Sequence, residues 1–158
     1  MEIEALSPGL SRVLPDGACH ERVATGFSFV EGPLWDPRTR SLFFSDIPAN
    51  RICRLSQDGS VEVVREPSDK SNGLTWDLEG RLLACEHLGR RVSRTLEDGT
   101  VVPVVERYGG KRLNSPNDLV LRSDGALFFS DPPYGIQSAG MGAVAEQEQP
   151  LNGLYMVP

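Results

Sequence analysis

The sequence has no surplus of positive charge and no long apolar run. Its 158 residues include 16 Lys and Arg against 22 Asp and Glu, which gives a net charge of -6. This balance argues against a nucleic-acid surface, which needs clustered basic side chains. Apolar runs stay far below the roughly 18 residues of a membrane span, and the acidic start Met1–Ala5 lacks the apolar stretch of a signal peptide. We therefore expect neither nucleic acid nor a membrane as partner, but small solutes or cations, and a cytoplasmic location by default.

Cysteine is also scarce. Cys19, Cys53 and Cys85 are an odd set without close-pair spacing, and the last two lie in apolar runs. Such spacing is not typical of a disulfide framework or a thiolate metal site, so we predict buried, reduced thiols. Nucleophile-elbow, phosphate-loop and zinc-ligand motifs are absent as well. Metal-assisted attack by water is therefore the simplest hydrolytic chemistry open to the chain.

In place of long helical periods, the sequence contains a pattern that repeats about every 40 residues. The repeats begin at Glu31-Gly-Pro-Leu-Trp-Asp36, Asn72-Gly-Leu-Thr-Trp-Asp77 and Asn117-Asp-Leu-Val-Leu-Arg122. Each start is followed by an apolar run that ends on an acidic residue, namely Asp46, Glu86 or Asp131. The first two repeats continue in step through the turns Asp58-Gly59 and Asp98-Gly99. Short strand signals separated by such turns are typical of a propeller blade.

The predicted fold is all-β, a partial β-propeller of about three four-stranded blades. Residues 1–28 form a lead-in, and the blades cover 29–68, 69–110 and 111–158. Gln137–Pro150 is expected to be a long loop or a short helix at the edge of a binding site. Propellers close with roughly four to eight blades, so we expect the chain to be the amino-terminal half of a longer protein. An edge left open would favour self-association, including a ring closed by two copies.

The first residue of each repeat belongs to the candidate ligand set. The innermost strand of a propeller blade lines the central channel, so Glu31, Asn72 and Asn117 are predicted to point to a common axis. One carboxylate and two amide carbonyls are hard oxygen donors, which suit Ca²⁺, Mg²⁺ or Mn²⁺. Glu-Gly-Pro and Ser-Asn-Gly are also good turn formers, so a purely conformational role stays open, above all for Asn72.

The acidic residues at the ends of the apolar runs are expected to be structural. Asp46, Glu86 and Asp131 could accept hydrogen bonds from the turn of the next strand. Glu86 and His87 could also form an acid-base pair, although one His near a turn does not establish this.

Two further residues are candidate substrate contacts. Arg112 could lean over the channel and hold an oxygen-rich ligand through its planar fork, or lie in a solvated loop. Tyr134 lies on the stiff turn Asp131-Pro-Pro-Tyr-Gly135 and could form an aromatic wall beside a substrate. Trp35 and Trp76 hold equivalent positions in two repeats, and we predict that they pack between blades.

Six segments occur in an order that is found in one known family. They are Glu31-Gly-Pro, Ser45-Asp-Ile-Pro48, Ser71-Asn-Gly, Cys85-Glu-His, Lys111-Arg-Leu-Asn-Ser-Pro-Asn-Asp118 and Ser130-Asp-Pro-Pro-Tyr-Gly135. Together they resemble the gluconolactonase and regucalcin (senescence marker protein) family, most closely its bacterial gluconolactonases. The resemblance implies a six-bladed propeller of twice this length, one divalent cation in the central channel, and hydrolysis of a sugar-type lactone.

The resemblance also implies residue roles. Glu31 matches the first-blade metal ligand, and Asn117 matches the third-blade asparagine that contacts substrate or, in calcium-binding relatives, the metal. Asn72 would line the channel. The family's other ligands, an Asn and the Asp that is the proposed general base, would lie beyond Pro158. Regucalcin-type members have an Arg two residues before the third-blade Asn, where this chain has Ser115.

Three functions agree with these patterns. The first is a lactonase that uses one divalent cation, with Ca²⁺ favoured and Zn²⁺, Mg²⁺ or Mn²⁺ as alternatives. The second is hydrolysis of phosphotriesters or other esters by the same architecture. The third is a non-catalytic propeller that binds calcium or another ligand.

Overall fold

The computed structural model describes residues 3, 7, 9–15 and 17–158, and nearly all of its regular structure is β. A 3₁₀ helix covers Leu10–Arg12 and one short α-helix, α1, covers Tyr134–Gln137. The strands are β1 Val30–Asp36, β2 Ser41–Asp46, β3 Arg51–Leu55, β4 Val61–Arg65, β5 Ser71–Trp76, β6 Leu82–Glu86, β7 Arg91–Thr95, β8 Val101–Val105, β9 Arg107–Tyr108, β10 Lys111–Arg112, β11 Leu119–Leu121, β12 Leu127–Asp131 and β13 Gly153–Val157. No helix in the described part of the chain has the length and apolar content that a membrane crossing requires.

The strands form consecutive antiparallel meanders. β1 to β4 make one four-stranded sheet and β5 to β8 make a second, each in sequence order. β11, β12 and β13 make a third sheet, and β9 pairs with β10 as a separate two-stranded ribbon. The third sheet has three strands in the described residues where four were expected. Between its second and third strands, residues 132–152 form α1 and an irregular loop before β13 returns beside β12. Three such meanders packed side by side confirm a partial β-propeller.

Tight turns set the register of the outer strands. Gly59 and Gly99 both have a φ of +83°, which side chains other than glycine rarely adopt. At the first turn the Gly59 N–H donates to the Ser56 carbonyl at 3.0 Å, and Leu55 then pairs with Val61. The second repeat has the same arrangement, so the repeated Asp-Gly signal corresponds to a repeated hairpin.

The hydrophobic core lies between the sheets. One cluster joins the first and second sheets and contains Phe43, Ile52, Leu74, Leu82 and Ala84. A second cluster joins the second and third sheets and contains Leu83, Cys85, Val92, Leu113, Leu119, Leu127 and Phe129. All three cysteines are free. Cys53 and Cys85 are buried, as predicted, and burial raises the pKa of both thiols, whereas Cys19 is exposed and does not fit the prediction.

The two equivalent tryptophans have different surroundings. Trp76 packs edge-on against Phe43 with ring centroids 5.1 Å apart, which confirms the predicted packing between the first and second sheets. Trp35 is 54% exposed, so the same prediction is wrong for it in this chain. The physical reason is that Trp76 packs against the preceding sheet, and no sheet precedes the first one in the described residues.

Two glycines allow the first strands of neighbouring sheets to touch. A Cβ on Gly32, where φ is +60°, would lie 2.1 Å from the Asn72 carbonyl oxygen. A Cβ on Gly73 would lie 2.7 Å from the Cα of Asp118, and the Gly73 N–H donates to the Asn117 carbonyl at 2.8 Å. Each glycine directly follows a candidate ligand. The main chains that carry Glu31, Asn72 and Asn117 are therefore in contact from one sheet to the next.

A Gly32→Ala substitution tests this contact. In the native polypeptide that contains this chain, we expect a loss of about 2–4 kcal/mol in the free energy of unfolding, from positive φ and overlap with Asn72 together. Gly59→Ala is the matched control, because Gly59 also has positive φ but no atom within 4 Å of an added Cβ. It should lose only about 1 kcal/mol. Chemical denaturation measures both free energies. Equal losses would show that the contact of Gly32 with Asn72 does not contribute to the effect of the substitution.

Candidate functional site

The antiparallel register brings the two polar positions of each repeat to one end of the sheets. Val30 pairs with Asp46 and Ser71 pairs with Glu86. In the third repeat the Asn117 N–H donates to the Ser130 carbonyl at 2.9 Å. The start of each first strand thus lies beside the end of the second strand. The turns that follow β2, β6 and β12 belong to this same end, which we call the head end.

The three candidate ligands differ in exposure at the head end. Glu31 is exposed on β1, Asn72 is only 6% exposed on β5, and Asn117 is half-buried just before β11. Their main chains meet through the contacts of Gly32 and Gly73. Their assignment as metal or substrate ligands stays a prediction from the sequence.

Asp46 anchors the segment that leads into β1. Its Oδ1 accepts hydrogen bonds from the backbone N–H groups of Ser28 at 3.0 Å and Phe29 at 3.1 Å. Its Oδ2 accepts from Arg51 Nη2 at 2.9 Å. The predicted acceptor role is confirmed, but the donors come from the preceding segment as well as from the next strand.

Glu86 links the first and second sheets. Its fully buried carboxylate accepts hydrogen bonds from Arg65 on β4 and from Arg91 and Ser93 on β7. Both oxygens are thereby used. The Glu86–His87 acid-base pair considered from the sequence is not formed, because the two side chains have different partners.

Asp131 shapes the loop that carries Asn117. Its Oδ2 accepts from the Asn114 N–H at 2.8 Å and its Oδ1 from the Ser115 N–H at 2.9 Å. Burial raises the pKa of Asp131, and the two backbone N–H groups oppose this shift. Ser115 Oγ donates to the Pro132 carbonyl at 2.6 Å and accepts from the Gly135 N–H at 2.9 Å. Where regucalcin-type members were expected to have an arginine, this chain uses a serine to tie two loops together.

His87 lies at the head end, although no role for it could be established from the sequence. It is 1% exposed, and burial lowers its pKa. Its Nδ1 is 3.0 Å from the Met141 carbonyl oxygen, and its Nε2 is 3.5 Å from Asn117 Nδ2. The antiparallel register could have indicated this position, because it places the residue after Glu86 next to the start of β11 in the third sheet.

Arg112 and Tyr134 also belong to the head end. The Arg112 Nη2 donates to the Gly89 carbonyl at 3.0 Å, so its guanidinium is held at the turn that begins with His87. Its backbone N–H donates to Glu148 at 2.9 Å. Tyr134 begins α1 directly after two prolines and is 57% exposed. In the segment Gln137–Pro150, predicted as a loop or short helix, Gln137 is the last residue of α1 and the rest is an irregular loop.

The available donors fit a hard divalent cation. Across residues 3, 7, 9–15 and 17–158, no three His, Cys, Asp or Glu side chains converge on a possible metal position. That set of side chains does not include amide oxygens. At the head end the exposed carboxylate of Glu31 is accompanied by the amide of Asn72 on β5 and that of Asn117 just before β11, and Asp118 next to Asn117 is a second exposed carboxylate. Oxygen donors of this kind suit Ca²⁺, Mg²⁺ or Mn²⁺ better than a softer ion.

Comparison with known proteins identifies the family of the chain. Residues 29–157 match the family described as the SMP-30/Gluconolactonase/LRE-like region. The chain belongs to this family. The resemblance inferred from the six sequence segments is therefore confirmed.

Members of the family with named activities are similar over most of the chain. A gluconolactonase of Zymomonas mobilis is 31% identical over 170 aligned positions, which cover 98% of this chain and 47% of that protein. The solved structure of a gluconolactonase from Xanthomonas campestris is 38% identical and has a TM-score of 0.83. The match covers 86% of this chain and 46% of that chain. Regucalcin from Agrobacterium tumefaciens, described as a calcium-binding protein, is 17% identical with a TM-score of 0.51, which shows a shared fold. The chain thus spans about half the length of the gluconolactonases that it matches.

An Asp131→Asn substitution tests the support of the Asn117 loop. One carboxylate oxygen becomes an NH₂ group that faces a backbone N–H, and an unsatisfied buried donor costs about 1–3 kcal/mol. Asp124→Asn is the matched control, because Asp124 also accepts a turn N–H, that of Ala126, but is exposed. We expect the control to change stability by no more than about 0.5 kcal/mol. Thermal or chemical unfolding measures both, and equal effects would contradict an anchoring role for Asp131.

Proposed function

We propose that the native polypeptide containing this chain is a lactonase that uses one divalent cation. The observation that carries the proposal is the contact between neighbouring first strands at Gly32 and Gly73, which brings together the main chains that carry Glu31, Asn72 and Asn117. Membership of the gluconolactonase family supports a lactone as substrate.

Within this proposal, Glu31 and Asn117 hold the cation. The Glu31 carboxylate supplies negative charge, and the Asn117 amide supplies a neutral oxygen, so the cation keeps a net positive charge. A cation held in this way would polarise the lactone carbonyl and favour addition of water and opening of the ring to a hydroxy acid. Ca²⁺ is the ion that this hard, weakly charged donor set favours, with Mg²⁺, Mn²⁺ or Zn²⁺ as alternatives.

The remaining head-end residues are proposed to position the substrate. Asn72 offers a nearly buried amide beside Glu31, and its own carbonyl accepts from Ser45 Oγ at 2.8 Å, which fixes its main chain. Arg112 can present its remaining N–H groups to the hydroxyls of a sugar-type lactone. Tyr134 exposes an aromatic face suited to the apolar side of a sugar ring.

A non-catalytic calcium- or ligand-binding function is the second candidate. Asp46, Glu86 and Asp131 all engage hydrogen-bond donors, so none of these three head-end acids is free to act as general base. The base that the family resemblance implies would come from outside this chain. A polypeptide without it would keep the cation site and have no turnover.

A Glu31→Gln substitution tests the cation site. Loss of the carboxylate charge should weaken binding of Ca²⁺ by at least about tenfold, and lactone hydrolysis should fall with it. Glu97→Gln is the control, because it makes the same change at an exposed turn. Calorimetric titration with Ca²⁺ and a pH-stat assay of lactone opening measure the two effects. Unchanged affinity of Glu31→Gln for Ca²⁺ would show that Glu31 is not a ligand of the cation.

Removal of divalent cations separates the two candidate functions. If the protein is a lactonase, a chelator should abolish hydrolysis, and added Ca²⁺ or another divalent ion should restore it. A protein that binds Ca²⁺ but opens no lactone in a panel of sugar lactones, with every divalent ion tested, would support the binding function instead.

A further inference from the structure

Helix α1 and the loop that follows it are packed against His87. A Cβ on Gly135, in α1, would lie 2.5 Å from the His87 Cβ, so only glycine fits at this position. The Ala143 N–H donates to the Gly135 carbonyl at 3.0 Å, which folds the loop back and brings the Met141 carbonyl to His87. Lys70, directly before β5, donates to the Gly140 carbonyl at 3.2 Å and to the Pro48 carbonyl at 2.9 Å. The loop is thus held by two residues at the head end of the second sheet, Lys70 and His87.

This contact selects one tautomer of His87. A backbone carbonyl can only accept, so the imidazole Nδ1, 3.0 Å from the Met141 oxygen, must carry the proton. The ring is 1% exposed, and the buried site holds an imidazole without the cost of burying an unpaired charge only if the ring is uncharged. A neutral imidazole that is protonated at Nδ1 has a free lone pair at Nε2.

The tautomer in turn selects the orientation of the Asn117 amide. The separation of 3.5 Å between Nε2 and Asn117 Nδ2 is at the long end of hydrogen bonding, but it is short enough to disfavour two acceptors facing each other. The NH₂ group of Asn117 must therefore face His87. Its carbonyl oxygen, Oδ1, then lies on the opposite side of the amide, away from the imidazole.

We propose that His87 is a positioning residue, which holds the Asn117 amide with Oδ1 available to a cation or a substrate dipole, and that the loop 134–145 sets this function through the Met141 carbonyl. The inference rests on the proposed cation site and goes beyond it. Oxygen and nitrogen of an amide have nearly the same size, so rotation by a half turn costs little unless a neighbour distinguishes them. The wrong orientation would present two N–H donors to a cation.

The tautomer and the amide orientation can be measured without any metal. In ¹H–¹⁵N correlation spectra of the native polypeptide that contains this chain, we expect His87 to be protonated at Nδ1 and not at Nε2. Nuclear Overhauser contacts should connect the Asn117 NH₂ protons to the ring C–H protons that flank Nε2. A proton on Nε2, or the absence of these contacts, would overturn the proposal.

Variants test the effect on cation binding. His87→Leu removes the acceptor but keeps a buried side chain of similar size, and we expect the affinity for Ca²⁺ to fall about tenfold, the lower end of the range for residues that orient metal ligands. His87→Gln can place its Oε1 near the position of Nε2, so it should restore most of the affinity. His20→Leu makes the same change at an exposed position and serves as the control.

The outcomes distinguish this inference from the proposed function. Wild-type binding of Ca²⁺ together with unchanged affinity in His87→Leu would overturn the role of His87 and leave the cation site in place. Absence of cation binding by the wild-type protein would overturn the proposed function, while the spectra of His87 and Asn117 would still decide the orientation. If His87→Leu does not fold, His87→Gln and the wild-type spectra carry the test, and a low affinity in a folded His87→Gln would contradict the proposal.

Discussion

The narrow spacing between the first strands of adjacent sheets constrains everything else at the head end. Gly32 lies against the Asn72 carbonyl, and Gly73 lies against Asn117 and Asp118, at distances that leave no room for a side chain. The hydrogen bond from Gly73 to the Asn117 carbonyl joins two sheets directly. Because the residue before each glycine is a candidate ligand, the packing of the backbone also brings together the main chains that carry the candidate ligands.

Buried acids stabilise this arrangement through their hydrogen bonds. The second strands of the three sheets end with Asp46, Glu86 and Asp131. Each carboxylate accepts a hydrogen bond from a residue earlier in the chain, namely Ser28, Arg65 and Asn114 in that order. Asp131 and Ser115 together fix the loop before Asn117. Removal of a buried carboxylate would therefore disturb the site through its framework, whereas Glu31 is the exposed carboxylate among the candidate ligands.

Much of the fold could be predicted from the sequence because the repeat encodes it locally. The Asp-Gly turns and the alternation of short apolar runs specify hairpins, and three similar units specify neighbouring sheets. The roles of His87 and Ser115 could not be predicted in this way. His87 depends on a carbonyl that is 54 residues away, and Ser115 depends on a loop that has no counterpart in the first two repeats. The exposure of Trp35 was missed because its position in the repeat does not reveal whether a sheet precedes it.

A crystal structure of the native polypeptide with bound Ca²⁺ is the most direct test of the account. The account predicts anomalous density for one cation at the head end, with the Glu31 carboxylate and Asn117 Oδ1 within about 2.3–2.6 Å of it. The Asn117 NH₂ group should face His87 in the same structure. A cation bound elsewhere, or one at the head end without Glu31 among its ligands, would contradict the central claim that the close contact of neighbouring strands assembles the site.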